Sequence, residues 1–406
     1  MILEFSVKNF RSIKELQTIS FVASGLKSLD EEQDKNNIVE IEGQRILKTV
    51  GIYGANASGK SNILRALEAF SRAIFSPVQP TSLLGMTNYP FYYQHHPEDT
   101  ETFFQIILLV EGKKYRYGYT IKNNNVVDEW LYGMANGNQT YYFIREGSKD
   151  NIKINKDHFS EGNLAPKVVY DHSLFLSHVA SYQNNIAKKI WDFFNFINGS
   201  QLTRPQLMRY ATLLALESTN AKTPFIDLLQ KCGFNYLDVK LSDSADAYLN
   251  KKKVEVLLEK HNIDSTIKQL NLDEDESSGT QKLFNIMGMI LMVFQKGGAF
   301  ALDELDSNFH PALVIKLIQL FNDPEINKGN AQLLFTSHDT NLLDPKLMRR
   351  DQFYFTEKTD EDATRLYSLA DLKGIRNDAD FARQYLAGYY GAVPVLGDYK
   401  SEPIDE

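Results

Sequence analysis

Residues Ile2-Leu3-Glu4-Phe5-Ser6-Val7 alternate apolar and polar positions, the period-two pattern of a half-buried strand, and Asn9-Phe10-Arg11-Ser12-Ile13 turns the chain back into a second strand reaching Phe21. The chain therefore opens as a hairpin. Residues 24–45 are polar and charge-rich, with Asp30-Glu31-Glu32 and Asp34-Lys35-Asn36-Asn37, and read as a flexible connection. The apolar run 47–53 predicts a buried strand, and Ile63, Leu64 and Leu67 share one face of a helix expected over 59–75. Pro77, Pro80 and Pro90 mark an irregular stretch. Segments 102–110, 114–122 and 126–132 then read as an antiparallel meander that turns at Glu111-Gly112-Lys113 and Asn123-Asn124-Asn125, with a further strand over 140–146. From Ser173 the period becomes helical, over 187–197, 205–216 and 224–232; residues 234–260 are mixed, with 251–260 weakly periodic. Leu283, Phe284, Met287, Ile290, Leu291 and Phe294 set a helix over 281–296, and 299–302 and 332–335 are short apolar strands. No heptad run and no internal repeat is visible.

The strand at 47–53 runs into Gly51-Ile52-Tyr53-Gly54-Ala55-Asn56-Ala57-Ser58-Gly59-Lys60-Ser61, and Gly54 to Ser61 fits G-x-x-x-x-G-K-[ST] at every fixed position. A strand before the loop and a helix after it are the context that motif needs. Backbone NH groups of such a loop converge on an anion, and the helix N-terminus adds partial positive charge. Lys60 is expected to reach the β- and γ-phosphates and Ser61 to hold Mg²⁺. The second half of the site is Ala299-Phe300-Ala301-Leu302-Asp303-Glu304, an apolar strand ending in two carboxylates and expected to run beside the phosphate-loop strand. Asp303 would bind Mg²⁺ and Glu304 would polarise the attacking water. Glu276-Ser277-Ser278-Gly279-Thr280 precedes the helix 281–296, with Ser277 placed as an N-cap or anion contact. Thr336-Ser337-His338-Asp339 puts a histidine at the C-terminal edge of a strand, where ligands bind in open α/β sheets.

Composition narrows the class. At 406 residues the chain is long for one compact core, and 43% hydrophobic with 24% charged residues is globular rather than disordered. A net charge of -8 disfavours a chain-wide nucleic-acid surface and leaves local basic clusters, Lys251-Lys252-Lys253 and Arg349-Arg350, as solvated charge or a local groove. Cys232 stands alone, which suits a reducing cytosol. Met1-Ile2-Leu3-Glu4-Phe5 has neither the basic nor the apolar region of a signal peptide, and no apolar run reaches the roughly 20 residues of a membrane span, so a soluble cytoplasmic protein is expected.

Together these motifs resemble the ABC-class ATPases of the AAA family, in particular the group of structural-maintenance-of-chromosomes (SMC) proteins, Rad-type repair ATPases and overcoming-lysogenisation-defect (OLD) proteins. Asn9-Phe10-Arg11-Ser12 resembles the group's N-terminal motif, and Gly54 to Ser61 followed by Asn62 its Walker A. Ser277-Ser278-Gly279-Thr280 resembles a variant C-loop, Asp303-Glu304 the Walker B, Leu305-Asp306-Ser307 the D-loop, and His338 stands at the switch histidine. The chain is more narrowly similar to RloA/AbiL-type anti-phage ATPases and the ATPase of the PARIS system, through 276–283, 303–311 and 378–394.

The fold this implies is α/β, a P-loop ABC-type ATPase head with an antiparallel β subdomain and a helical insertion between Walker A and C-loop. The expected divisions are 1–75 (lobe with Walker A), 76–170 (antiparallel β), 171–270 (mostly helical) and 271–406 (lobe with the remaining motifs). The nucleotide-binding set is Gly54, Asn56, Ser58, Gly59, Lys60, Ser61, Asn62, Ser277, Ser278, Gly279 and Asp306, with Arg11 either at the phosphates or in sheet packing. Ser61 and Asp303 would hold Mg²⁺, and Lys60, Glu304 and His338 would be catalytic. The C-loop of the resembling family faces another subunit's phosphate loop, implying a homodimer, or higher homo-oligomer, around two ATP molecules. Ser278 replaces the usual glycine, and Gln94, Gln105 and Gln183 all stand open as the glutamine loop. OLD proteins carry a Toprim nuclease after the ATPase; residues 339–406 are too few for one. The first reading is therefore an anti-phage sensor and scaffold controlling a separately encoded effector such as a Toprim-like nuclease, triggered by DNA or a phage protein. A DNA-associated repair or maintenance ATPase is the alternative, and a transporter subunit is disfavoured by the long insertion.

Overall fold

A computed structural model of the chain describes residues 1–75, 83–135, 138–147, 150–160, 162, 169–181, 186–195, 205–246 and 251–394. Strands β1 (Ile2–Lys8) and β2 (Gln17–Ser20) form the opening hairpin. Next come helix α1 (Glu31–Asn37), the hairpin β3 (Ile38–Ile41) and β4 (Gln44–Leu47), strand β5 (Thr49–Gly54) and helix α2 (Lys60–Ile74). The meander is β6 (Thr102–Val110), β7 (Lys113–Lys122), β8 (Asn125–Ala135), β9 (Asn138–Glu146) and β10 (Ile152–Ile154). Helices α3 (Phe175–Ala180), α4 (Ile186–Asn195), α5 (Pro205–Glu217) and α6 (Thr219–Lys231) follow. After them come strands β11 (Asp238–Asp246), β12 (Lys251–His261) and β13 (Ile267–Asn271). The chain continues with α7 (Ser278–Lys296), β14 (Ala299–Leu302), α8 (Pro311–Asn322), β15 (Gln332–Thr336), β16 (Phe353–Lys358), β17 (Thr364–Ser368) and α9 (Phe381–Leu386).

Two sheets enclose α2. The meander does not stand apart, because β1 pairs with β6 to give a seven-stranded antiparallel sheet ordered β10-β9-β8-β7-β6-β1-β2, across the expected boundary at 75/76. The second sheet is ordered β14-β15-β5-β16-β17, parallel except for β17. Alternation decides which face meets which helix. On β5 Val50 and Ile52 join the core that holds α2, while Tyr53 joins the core of α7 and α8. On β14 the small Ala299 and Ala301 lie on the α2 side and the large Phe300 and Leu302 on the other. Phe70 of α2 stacks on Tyr119 at 5.3 Å and meets Phe5, Phe104 and Tyr117 within 6.1 Å, which fastens α2 to the antiparallel sheet. The buried amide of Gln332 stitches the sheets together, accepting from Ile2 N at 2.6 Å and donating to Ile2 O and Leu47 O.

Three expectations are corrected here. Residues 24–45 are pinned rather than flexible: the buried guanidinium of Arg349 holds Asp34, Asp351 and Ser28 Oγ and donates to Leu26 O at 2.8 Å, and Asp30 caps α1. The stretch 171–270 is helical only to Lys231, and then forms the antiparallel sheet β11-β12-β13. Strand β14 does not run beside β5, because β15 pairs with both and lies between them. Pro77 and Pro80 lie outside the described residues.

One buried polar cluster fixes α3 against the meander. Glu129 accepts Phe175 N at 2.6 Å, Leu176 N at 2.9 Å and Tyr117 OH at 3.0 Å. Beside it His178, 3% exposed, shares a 2.9 Å hydrogen bond with Ser173 Oγ. Burial, with Arg145 nearby, pushes the His178 imidazole down to about 4. The unfolded imidazole titrates near 6.5, so it takes up a proton first as the pH falls, and folding stability is lost from about pH 6.5 down to about 4. We predict that wild type loses roughly 2–3 kcal/mol more than His178→Gln between pH 7 and pH 4. Denaturant titrations at the two pH values measure this, and equal losses would remove His178 from the acid sensitivity.

Candidate nucleotide site

The loop between β5 and α2 is shaped by contacts from behind. Gly54 has φ +148° and a Cβ there would lie 2.3 Å from Thr356 O; Gly59 has φ +108° and a Cβ there would lie 2.0 Å from Thr364 Oγ1. Glycine is required at both by backbone angle and by space. Ser58 Oγ bonds Thr356 Oγ1 at 2.6 Å, Thr364 Oγ1 donates to Ser58 O at 3.0 Å and shares a 2.7 Å bond with Ser12 Oγ, and Asn62 Nδ2 donates to Ser12 Oγ at 2.7 Å. Thus β16, β17 and the turn after β1 brace the loop, while Asn56 stands exposed at its tip. Lys60 is buried, and its ammonium donates to Gly54 O at 2.9 Å and Ala55 O at 3.0 Å. Burial lowers its pKa, opposed by Asp303, Glu304 and Asp306.

At the C-terminal edge of the parallel sheet three segments meet on one carboxylate. Ser61 Oγ donates to Asp303 Oδ1 at 3.0 Å, Thr336 Oγ1 donates to the same oxygen at 2.7 Å, and Glu304 N donates to Thr336 Oγ1 at 2.7 Å. The Ser61 and Asp303 oxygens fit a magnesium ion, which takes hard oxygen donors and few protein ligands. Glu304 is exposed, with φ +49°. Asp306 Oδ2 accepts His338 N at 3.3 Å, its Oδ1 is buried without a partner among the described residues, and His338 is exposed. Lys60, Ser61, Asp303, Glu304, Asp306 and His338 therefore share one edge.

The remaining candidates sit elsewhere. Ser277 caps α7, its Oγ accepting Thr280 N at 3.2 Å, and among the described residues no hydrogen bond joins Ser277, Ser278 or Gly279 to the phosphate loop. Arg11 has φ +53° and stacks its guanidinium 4.7 Å from the Tyr89 ring and 5.6 Å from Phe10. Arg11, Arg65, Arg72, Glu68 and Tyr89 line a cavity of about 190 Å³. Gln94 is spent on Asn9 Oδ1 and Thr100 Oγ1, Gln105 lies within β6, and Gln183 is outside the described residues. Sequence reasoning missed Ser12, Thr336, Thr356 and Thr364 as parts of the site. Thr336 had a readable signal, since it ends an apolar strand directly before His338. The other three act only through tertiary contacts.

A family model described as "AAA domain, putative AbiEii toxin, Type IV TA system" matches residues 50–344. The chain belongs to this family. The match runs from β5 to past His338, and the architecture of this AAA-domain protein is α/β, a largely parallel sheet that carries the G-x-x-x-x-G-K-S loop, with an antiparallel β subdomain and a helical insertion before α7. No curated protein matches the sequence. Solved structures that it resembles include an SMC head domain from Thermotoga maritima, at 14% identity and TM-score 0.44, covering 90% of this chain and 98% of that one. Two others are an Smc head domain from Pyrococcus furiosus with an extended coiled coil bound to the C-terminal domain of ScpA (11%, 0.41, 90% and 96%) and one from Pyrococcus yayanosii with a coiled coil and joint (10%, 0.46, 96% and 99%). Among the described residues no helix is long and apolar enough to cross a membrane.

The bracing of the loop makes a prediction. Gly59→Ala meets Thr364 and an unfavourable φ together, and should cost roughly 2 kcal/mol or more of stability and at least about 100-fold in nucleotide affinity. Calorimetric unfolding and titration with a non-hydrolysable ATP analogue measure both; unchanged affinity would show that the loop does not cradle phosphate.

Proposed function

We propose that the protein binds and hydrolyses ATP at the edge formed by Lys60, Ser61, Asp303, Glu304 and His338, and that two copies close over two triphosphates. The observation that carries this reading is the shared hydrogen bonding of Ser61 and Thr336 on Asp303 Oδ1 directly beside Lys60. Lys60 leaves the Gly54 and Ala55 carbonyls to meet the β- and γ-phosphate oxygens, and the loop's backbone NH groups hold the same anion. Ser61 and Asp303 would hold Mg²⁺, which would supply charge neutralisation to the transferring phosphoryl group. The exposed carboxylate of Glu304 orients and polarises water, and His338 approaches the γ-phosphate. Ser277 and Gly279, which among the described residues make no hydrogen bond to their own phosphate loop, serve the site of the other copy in an isologous pair. ATP drives closure because it gains contacts in the dimer that the monomer lacks.

The biological role we assign is sensor and scaffold in an anti-phage, abortive-infection system of the RloA/AbiL, PARIS or OLD-like kind, in the cytoplasm, controlling a separately encoded effector such as a Toprim-like nuclease. Support comes from the family's description as a putative AbiEii toxin of a type IV system and from the motifs at 276–283 and 303–311. Co-purification with the product of the neighbouring reading frame tests the partner. An SMC- or Rad-like association with DNA draws on a different feature: Arg11 and Arg65 beside Tyr89, which is 48% exposed and is followed in sequence by Tyr92 and Tyr93, 79% and 66% exposed. A steep fall of DNA affinity with salt would favour it.

The two halves of the mechanism separate by mutation. Lys60→Ala should lose nucleotide binding and turnover together, whereas Glu304→Gln should bind ATP normally, lose about 100-fold or more in turnover, and accumulate as an ATP-bound dimer. Nucleotide occupancy and light scattering of the two variants measure this contrast; equal dimer fractions would sink it.

A further inference from the structure

The start of α7 and the loop after β14 form one packed unit. Gly279 approaches that loop so closely that a Cβ would lie 2.6 Å from the Asn308 carbonyl oxygen. Three residues on, Lys282 Nζ donates to Ser307 O at 2.5 Å and reaches Glu304 O at 3.4 Å, while its ammonium stands 4.7 Å from the Phe309 ring centroid. Both carbonyls belong to a turn in which Glu304 has φ +49° and Asn308 φ +64°. Non-glycine residues hold such angles only where their surroundings impose them. On one side of Glu304 the Thr336 hydroxyl takes its NH; on the other, Lys282 takes its carbonyl. The ammonium is used on backbone oxygens rather than on a carboxylate, although Glu304 and Asp306 are near enough to oppose the lowering of its pKa by burial.

We propose that Lys282 is a positioning residue that aims the Glu304 carboxylate according to what the Ser277–Gly279 turn of the same chain has met. This rests on the reading that Glu304 serves water and that the serine–glycine turn serves the other copy's nucleotide. Lys282 and Gly279 lie three residues apart at the start of one helix and so share a face. When the turn closes on a triphosphate, the helix start shifts, and Lys282 moves with it against the carbonyls of Glu304 and Ser307. Occupancy of one site thus sets the alignment of the carboxylate at the other, and the two hydrolysis reactions become coupled.

The test is steady-state ATP hydrolysis over a range of ATP concentrations for full-length wild type, Lys282→Ala and Lys282→Arg, with binding of a non-hydrolysable ATP analogue and dimer fraction measured on the same samples. Lys282→Ala should lose about tenfold or more in kcat while analogue affinity and dimer fraction stay within about twofold. Its Hill coefficient should fall from about 2 toward about 1. Lys282→Arg, which also donates to two carbonyls, should recover most of the rate and the cooperativity. Lys282→Ala with wild-type kcat and Hill coefficient overturns this proposal alone, as does a rate loss matched by lost binding. Wild-type protein that hydrolyses ATP as a monomer overturns the underlying two-copy reading and this proposal with it.

Discussion

Asp303 Oδ1 is the oxygen on which the site depends. Ser61 belongs to the first turn of the helix after the phosphate loop, Thr336 to the end of β15, and Asp303 to the end of β14, so two hydroxyls on one carboxylate oxygen tie three segments that are far apart in sequence. Charge-assisted hydrogen bonds of this kind are short and directional, which fixes the side chains relative to one another. The bond from Glu304 N to Thr336 Oγ1 extends the same constraint by one residue. Strand β15 lies between β5 and β14, pairs with both through its backbone, and at its end turns the Thr336 hydroxyl onto the segment that follows β14.

The rest of the molecule holds that edge in register. The parallel sheet has small residues toward α2 on β14 and aromatic or large aliphatic residues toward α7 and α8, so α2 can lie close to the sheet while the opposite face is filled by Phe300, Phe335 and Phe353. Thr356 and Thr364 press on the phosphate loop from behind and leave no room for side chains at Gly54 and Gly59. Tyr53, one residue before the loop, buries its ring against Phe335, Phe353 and Phe355, and among the described residues its hydroxyl has no partner, as Asp306 Oδ1 also has none. Buried polar atoms without partners are uncommon in folded proteins.

The elements that could be read from sequence are those with strong local patterns. The loop motif, the meander, α7 and the two short apolar strands each carry their periodicity or spacing within a few residues, and the observed bounds lie close to the expected ones. The segment 24–45 could not be read this way, since its order comes from Arg349, more than 300 residues later, whose guanidinium gathers Asp34, Ser28 and the Leu26 carbonyl. Lys251-Lys252-Lys253 sit on β12, whose pairing with β11 and β13 settles as strand a segment that is only weakly periodic in sequence. Strand order was illegible for a related reason: two apolar strands of similar length, 299–302 and 332–335, can each flank β5, and no pattern local to either strand says which one does. At the site, motif residues were legible, whereas Thr356 and Thr364 act through contacts that no local pattern announces, and Ser12 stood in the Asn9–Ser12 motif without its contacts to Thr364 and Asn62 being readable.

Helix α2 has a second end, and it is not left to solvent. The Ile74 carbonyl oxygen accepts Ser177 Oγ at 2.7 Å and Trp191 Nε1 at 3.1 Å, donors from α3 and α4 of the insertion. These bonds satisfy a carbonyl that a helix terminus leaves open. Trp191 also packs edge-on against Phe75 at 4.6 Å, directly after the last turn. A single helix thus has the phosphate loop at its N-terminus and the insertion clasped on its C-terminus, with Phe70 between them locked into the antiparallel sheet. Two hydrogen bonds and a ring contact thus tie α3 and α4 to the end of the helix that the phosphate loop opens. The insertion is therefore mechanically continuous with the nucleotide loop, which is what a part of the protein must be if its state is to depend on bound nucleotide.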